Sequence, residues 1–427
     1  MNLTYKTPPK GGVIGAIPSK SAAHRLLICA AFADRPTFIR CTSTSADIDA
    51  TAQSLRALGA QIERTADGFF VTPAKEIPRG GTADCGESGS TLRFLLPVAA
   101  ALGAEVRFVR HGRLAQRPLS PLYEEMIAHG AALPADPATE PLPVLGRITP
   151  GDYTLAANVS SQFVSGLLMA MPLMGGASSL TLTGKIESAD YIRITTGAMG
   201  VFGAAPVLAE DERRYDVDAR GYRSPGTVTV EGDWSNAALW LSMGAVGEEP
   251  IAMTGLTPDS PQGDRRILDV LRAFGADVTW KDGAVTVRPA PLSGIRLDAS
   301  QIPDLVPVIA ATAAAAAGET VITGIARLRI KESDRVAAVT EQLAALGADI
   351  RSDDEAIVIR GGKRLKGGTV SSYNDHRMVM CAAVASLITD GEVTVTGAQA
   401  INKSYPGFTD DLAAMGGTFT KFSPEDA

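Results

Sequence analysis

Eight cations, Lys20, Arg25, Arg93, Arg117, Lys331, Arg335, Arg377 and Lys403, stand in short polar runs ahead of apolar segments. The runs include SKSAAHR from Ser19, GESGSTLR from Gly86, SSQ from Ser160, GDWSN from Gly232, IPD from Ile302 and NDHR from Asn374. A helix start presents unpaired N–H groups and a partial positive charge. Full positive charges added at several such starts make a trap for a small, multiply anionic ligand. Phosphate and carboxylate suit the fork of Arg and the point charge of Lys.

Each run also has a plainer account. Ser or Asp at a helix start is usually an N-cap, the favoured reading for Asp47 and Asp233. Lys20-Ser21 taken alone is a solvated pair. Arg329–Arg335 (RIKESDR) taken alone is more often an exposed, ion-paired helix face. Asp375-His376-Arg377 is harder to set aside, because the segment after it, MVMCAAVASLI, is apolar throughout.

The elements that position these runs repeat. Helix-like segments end at Gly59, Gly130, Gly203, Gly275, Gly347 and Gly416, with gaps of 71, 73, 72, 72 and 69 residues. Glycine suits the left-handed C-cap there. A second marker, strands ending at Cys41, Gly112, Gly184, Gly255, Gly324 and Gly397, keeps the same period. Segments such as Ser178–Gly184, Ala284–Arg288 and Glu392–Gly397 alternate apolar and polar residues, as half-buried strands do. Arg265–Phe274 and Val336–Leu346 have helical spacing. Counted back from the repeat glycines, Lys20, Gly89, Gln162, Asp233, Asp304 and Asp375 lie at one phase, 39 to 43 residues away. Arg117, Tyr191, Arg335 and Lys403 share a second phase, 12 or 13 residues away. Six copies of one α/β unit, with polar residues at two helix starts each, account for both.

Seventy residues is long for a solenoid repeat. Two globular groups of three fit better, with a boundary in the Pro- and Gly-rich stretch 221–227. The expected first domain is 16–225. The second is 226–427 joined by the lead 1–15, with the active site in the cleft between them. The net charge of −7 argues against a broad nucleic-acid or anionic-membrane surface. Cys29, Cys41, Cys85 and Cys381 lack metal-ligand spacing and read as reduced, buried thiols. The N-terminus has no signal-peptide pattern, and the Ala-rich run 309–317 is too short to span a bilayer. A cytoplasmic protein is expected.

Nine motifs in order, SKSAAHR, GESGSTLRF, AQRPLSPL, NVSSQFVSGLLMA, GDWSNA, IPDLVPV, RIKESDR, YNDHRMVM and NKSYPGF, span residues 19–412. Together they resemble the 3-phosphoshikimate 1-carboxyvinyltransferase (EPSP synthase) family of enolpyruvyl transferases. The resemblance implies a two-domain inside-out α/β barrel of six βαβαββ-type repeats. It implies transfer of the enolpyruvyl group of phosphoenolpyruvate to the 5-hydroxyl of shikimate 3-phosphate, with release of phosphate, on the route to chorismate and aromatic amino acids. No metal and no organic cofactor is implied.

By the same resemblance Lys20, Ser21, Arg25, Ser160, Ser161, Gln162, Ser188, Asp304 and Lys331 form the shikimate 3-phosphate set. Lys20, Gly89, Arg117, Gln162, Arg335, Arg377 and Lys403 form the phosphoenolpyruvate set. Glu332 is the candidate acid toward the methylene carbon and Asp304 the candidate base toward the hydroxyl, with Lys20 also placed among the catalytic residues. The substrates are small molecules, no nucleic acid or membrane is involved, and a monomer that closes on its ligands is expected.

The chain departs from the family pattern in places. Glu87-Ser88-Gly89-Ser90 stands where Asn-Ala-Gly-Thr is commoner, His24 where Asn is frequent, and Arg327 where some members contact shikimate 3-phosphate through Asn. Retention of Gly89 implies sensitivity to glyphosate, the family's phosphoenolpyruvate mimic. The alternatives are an enolpyruvyl transferase acting on UDP-N-acetylglucosamine and an RNA-end-processing relative of the same repeat fold. The first lacks its Lys-Asn-Asn start and loop Cys here. The second is opposed by the acidic charge and an aromatic content of 5%.

Overall fold

The structure is a computed structural model that describes residues 1–423. The six repeat glycines all lie in the left-handed region, with φ between 71° and 107°. Each ends a helix and turns the chain into a strand, the turn that a β-carbon penalises.

The strands form six four-stranded sheets of one pattern. In each, an outer strand runs parallel to a second, which pairs antiparallel with a third, which pairs antiparallel with a fourth. Asp152–Ala156, Ser178–Thr183, Arg214–Val217 and Val207–Leu208 are one example. The chain divides into two compact units, Pro18–Glu231, and Met1–Ile17 with Gly232–Ala427. The first unit extends past residue 225 because Thr227–Thr229 supplies the parallel strand beside Thr37–Arg40. The lead is drawn into the other unit by backbone pairing. Asn2–Thr7 lies between Val393–Thr396 and Thr418–Phe422, and Gly12–Gly15 pairs with Ile251–Thr254.

Each unit has its own core built around three helices. They are Lys20–Ala31, Gly89–Leu102 and Ser161–Ala170 in one, and Trp234–Val246, Val306–Ala315 and His376–Ala385 in the other. These helices are apolar nearly all round, as helices surrounded by other elements must be. Gly89–Leu102 and Ser161–Ala170 approach so closely that a β-carbon on Gly166 would sit 2.3 Å from the Arg93 carbonyl oxygen. Leu95, Leu96, Leu167 and Leu168 on this pair are fully buried, each contributing roughly 2 kcal/mol by leaving water. The polar starts of the core helices are therefore fixed by packing along their whole lengths. Among the described residues no helix is long and apolar enough to cross a membrane.

Candidate active site

In the unit 18–231, Ser19, Ser88 and Ser160 cap the three core helices by accepting from the backbone N–H groups of Ala22, Thr91 and Gln162. The site residues follow within one turn. Lys20 Nζ donates to Asp47 Oδ2 at 2.7 Å. The expected cap at Asp47 is thereby corrected. Ser45 caps that helix, and Asp47, one position inside it, is turned to the lysine. Asp233 in the other unit does cap, accepting from Asn236 N at 2.7 Å.

Arg25 is 2% exposed. Its guanidinium donates to Thr195 Oγ1 at 2.6 Å, Ser21 O at 2.7 Å, Tyr191 O at 3.1 Å and Ser165 Oγ at 3.3 Å, and it lies 4.7 Å from the centre of the Phe94 ring. Every acceptor is neutral. Burial pulls its pKa down to about 10. Among the described residues no carboxylate is paired with it, and a ligand phosphate or carboxylate supplies the counter-ion that a buried cation ringed by dipoles needs.

Gln162 is held between two groups of the neighbouring helix, its Oε1 accepting from Arg93 Nη1 at 2.8 Å and its Nε2 donating to Ser90 Oγ at 2.9 Å. Gly89 lies under the Arg117 guanidinium. Ser160 and Ser161 are buried at their helix start. Ser188 is buried in a left-handed conformation, φ 55°, just before helix Ala189–Val201. His24 begins a hydroxyl chain, with Nδ1 2.7 Å from Thr51 Oγ1, which is 2.6 Å from Thr91 Oγ1, which donates to Ser88 Oγ at 2.8 Å. That chain ties the helix of Lys20 to the cap beside Gly89.

In the other unit one guanidinium organises the site. Arg335, 1% exposed, donates to Asp304 Oδ1 at 2.6 Å, Glu332 Oε2 at 2.8 Å and Asp375 Oδ2 at 2.8 Å. The exposed helix face considered for Arg329–Arg335 is thus overturned at its last residue, which is a buried ion-pair hub. Burial opposes the charge of Arg335, but Asp375, Glu332 and Asp304 outweigh it and hold its pKa well above the ordinary value. Lys331 Nζ donates to Asp304 Oδ1 at 3.1 Å. Burial pushes Lys331 below its usual range and Arg335 and Arg327 add to that, while Asp304 and Glu332 oppose it. Arg327 thus contributes charge at the position where a neutral contact was in question.

Arg377 is buried at the start of helix His376–Ala385, its backbone N–H donating to the Asp375 cap at 2.9 Å and its Nη1 to Ser235 O at 3.0 Å. Lys403 Nζ donates to Asn374 O at 2.5 Å. Arg117 and Lys403 differ from the expected placement. Each follows or ends a short 3₁₀ turn, Leu114–Gln116 or Ala398–Lys403, several residues before the next helix. Pro118, Pro121 and Pro406 intervene, and proline disfavours helical backbone at the residue before it. The four cysteines are buried and unpaired by disulfide. Burial raises the Cys41 thiol to about 11 and Cys29 to about 12, so neither supplies a thiolate.

Asp47 and Asp264 were absent from the site expected on sequence. Asp47 resembled a routine cap. Asp264 lies in the turn Gly263–Arg266 and carries no pattern of its own.

Paired repeat units whose core helices start in cations and caps define a class, the enolpyruvyl-transferase fold. A solved EPSP synthase from Acinetobacter baumannii superposes with a TM-score of 0.80 at 23% identity, covering 98% of this chain and all of that one. The enolpyruvyl transferase NikO from Streptomyces tendae superposes with a TM-score of 0.75 at 19% identity, covering 98% of each chain. Residues 6–412 match the family model for EPSP synthase (3-phosphoshikimate 1-carboxyvinyltransferase). Relatives of that name from Clostridium kluyveri and Clostridium acetobutylicum are 38% and 37% identical, each over 96% of both chains. The chain belongs to the EPSP synthase family.

Proposed function

We propose that this chain transfers the enolpyruvyl group of phosphoenolpyruvate to the 5-hydroxyl of shikimate 3-phosphate, releasing phosphate. Beyond family membership, the observation that carries this reading is Arg25, a buried guanidinium whose hydrogen-bond acceptors are all neutral. Such a group is built for an anionic ligand.

Addition requires a proton on the methylene carbon of phosphoenolpyruvate and removal of one from the 5-hydroxyl, whose oxygen then bonds to C2. Loss of phosphate and of a proton from the new methyl group restores the double bond. Glu332 is assigned to the carbon and Asp304 to the hydroxyl. Arg335 pairs with both carboxylates and favours their ionised forms. That suits a base at Asp304. An acid at Glu332 needs the arriving anions to draw Arg335 away or raise the carboxyl's proton affinity.

Lys20, Gly89, Arg117, Gln162, Arg335, Arg377 and Lys403 are assigned to phosphoenolpyruvate. Lys20, Ser21, Arg25, Ser160, Ser161, Gln162, Ser188, Asp304 and Lys331 are assigned to shikimate 3-phosphate. Lys20 acts as a point charge on a phosphate once its pairing with Asp47 is shared.

Phosphate release from phosphoenolpyruvate tests the reaction. It should depend on shikimate 3-phosphate and be unaffected by UDP-N-acetylglucosamine. Release that ignores shikimate 3-phosphate overturns the reading. Glu332→Gln should lose turnover and methylene proton exchange while still binding both ligands, and normal turnover in that variant removes Glu332 as the acid.

A further inference from the structure

Thr51 is fully buried on helix Ala46–Ala57 and has no part in the steps above. Its hydroxyl oxygen stands between His24 Nδ1 at 2.7 Å and Thr91 Oγ1 at 2.6 Å. Thr91, also fully buried, gives its hydrogen to Ser88 Oγ at 2.8 Å, with the Asp47 carbonyl oxygen a longer acceptor at 3.4 Å. Ser88 Oγ accepts from Thr91 N as well, at 3.2 Å. The chain of hydroxyls therefore crosses three helices and ends on the cap of the one that begins at Gly89.

A hydroxyl has one hydrogen to give and two lone pairs to offer. The Thr91 hydrogen points away from Thr51, so Thr51 donates to Thr91 and His24 Nδ1 donates to Thr51. His24 Nε2 is then the nitrogen without a hydrogen, and it is buried with no hydrogen-bond partner among the described residues. A neutral imidazole meets this, and burial, then Lys20 and Arg25, hold its pKa well below the ordinary value. At the far end both lone pairs of Ser88 are taken, which fixes the cap and the path of the backbone into Gly89. Gly89 underlies the Arg117 guanidinium, and Ser90 beside it accepts from Gln162 Nε2 at 2.9 Å. We propose that Thr51 is a positioning residue that acts through Thr91 and Ser88 to set the Gly89 helix start, and the Arg117 guanidinium over it, for phosphoenolpyruvate. The inference rests on the assignment of Gly89 and Arg117 to that substrate. Arg25, assigned to shikimate 3-phosphate, is held by Thr195, Ser165 and two carbonyls outside this chain of hydroxyls, so the effect falls on one substrate.

Steady-state kinetics of Thr51→Val, Thr51→Ser, Thr91→Val and the double valine variant test it. Valine keeps the outline of threonine and removes the hydroxyl. Thr51→Val should raise KM for phosphoenolpyruvate roughly three- to tenfold, the worth of one buried hydrogen bond, and leave KM for shikimate 3-phosphate within about twofold. Thr51→Ser keeps the hydroxyl and should recover most of the loss. Thr91→Val should cost at least as much as Thr51→Val, and the double variant should be no worse than Thr91→Val, because the hydroxyls act as one unit. An unchanged KM for phosphoenolpyruvate, additive losses, equal rises in both KM values, or no recovery in Thr51→Ser overturn the proposal. If Thr51→Val does not fold, Thr91→Val beside Thr51→Ser decides it, since the proposal requires loss in the first and little in the second. Arg117→Gln separates the two levels. If it leaves KM for phosphoenolpyruvate unchanged, the substrate assignment fails. If it raises that KM and Thr51→Val does not, the positioning role alone fails.

Discussion

A β-carbon on Gly89 would lie 2.5 Å from Nη1 of Arg117 and 2.9 Å from its Cζ. The obstacle is the tip of a long side chain, so Gly89→Ala should displace the guanidinium and spare the helix. KM for phosphoenolpyruvate is expected to rise, and inhibition by glyphosate to weaken, with stability unchanged or raised by up to about 1 kcal/mol from the helix propensity of Ala. Paired kinetics and thermal melts check this. Unaltered KM and inhibition would show that Arg117 is not a phosphoenolpyruvate ligand.

Arg335 compensates three carboxylates at once, and Asp375 beside it is 0% exposed. Arg335→Met should therefore abolish turnover and destabilise the unit by roughly 3–5 kcal/mol, the cost of stripping a partner from a buried ion pair. Urea denaturation at neutral pH measures it, and a loss below about 1 kcal/mol, the worth of an exposed pair, contradicts the hub.

Arg25 without a counter-ion predicts stabilisation by inorganic anions. Phosphate should raise the melting temperature more than chloride at equal ionic strength, approaching ~2.7 kcal/mol at a hundredfold excess over Kd. In Arg25→Gln most of that rise should vanish. Equal phosphate effects in both proteins would place the anion elsewhere.

His24 gives a pH dependence of definite sign. Burial, then Lys20 and Arg25, hold its pKa well below the ordinary value of 6.5. The folded protein keeps it neutral while the unfolded chain protonates it, so its stabilising contribution is present above about 6.5 and is lost as pH falls below that. Denaturation midpoints between pH 7.5 and 5.5 should fall for the parent and fall less for His24→Asn, which can still hydrogen-bond to Thr51. Parallel slopes would rule out His24 as the cause.

The chain's sequence determined what depends on neighbours a few residues apart. The left-handed glycines, alternating strands, Ser19, Ser88 and Ser160 caps and apolar core helices were all legible, because backbone sterics and capping are local. Family motifs extended this to Gly89 and to Lys20, Arg335 and the other cations. Tertiary structure decided which partner each charge has, because those partners are distant in sequence. Lys20 meets Asp47 27 residues on, Arg335 meets Asp375 40 residues on, and Arg377 meets Ser235 across 142 residues. It also left Arg25 among neutral acceptors. A charge's chemistry follows from burial and counter-ions, and packing between repeats sets both.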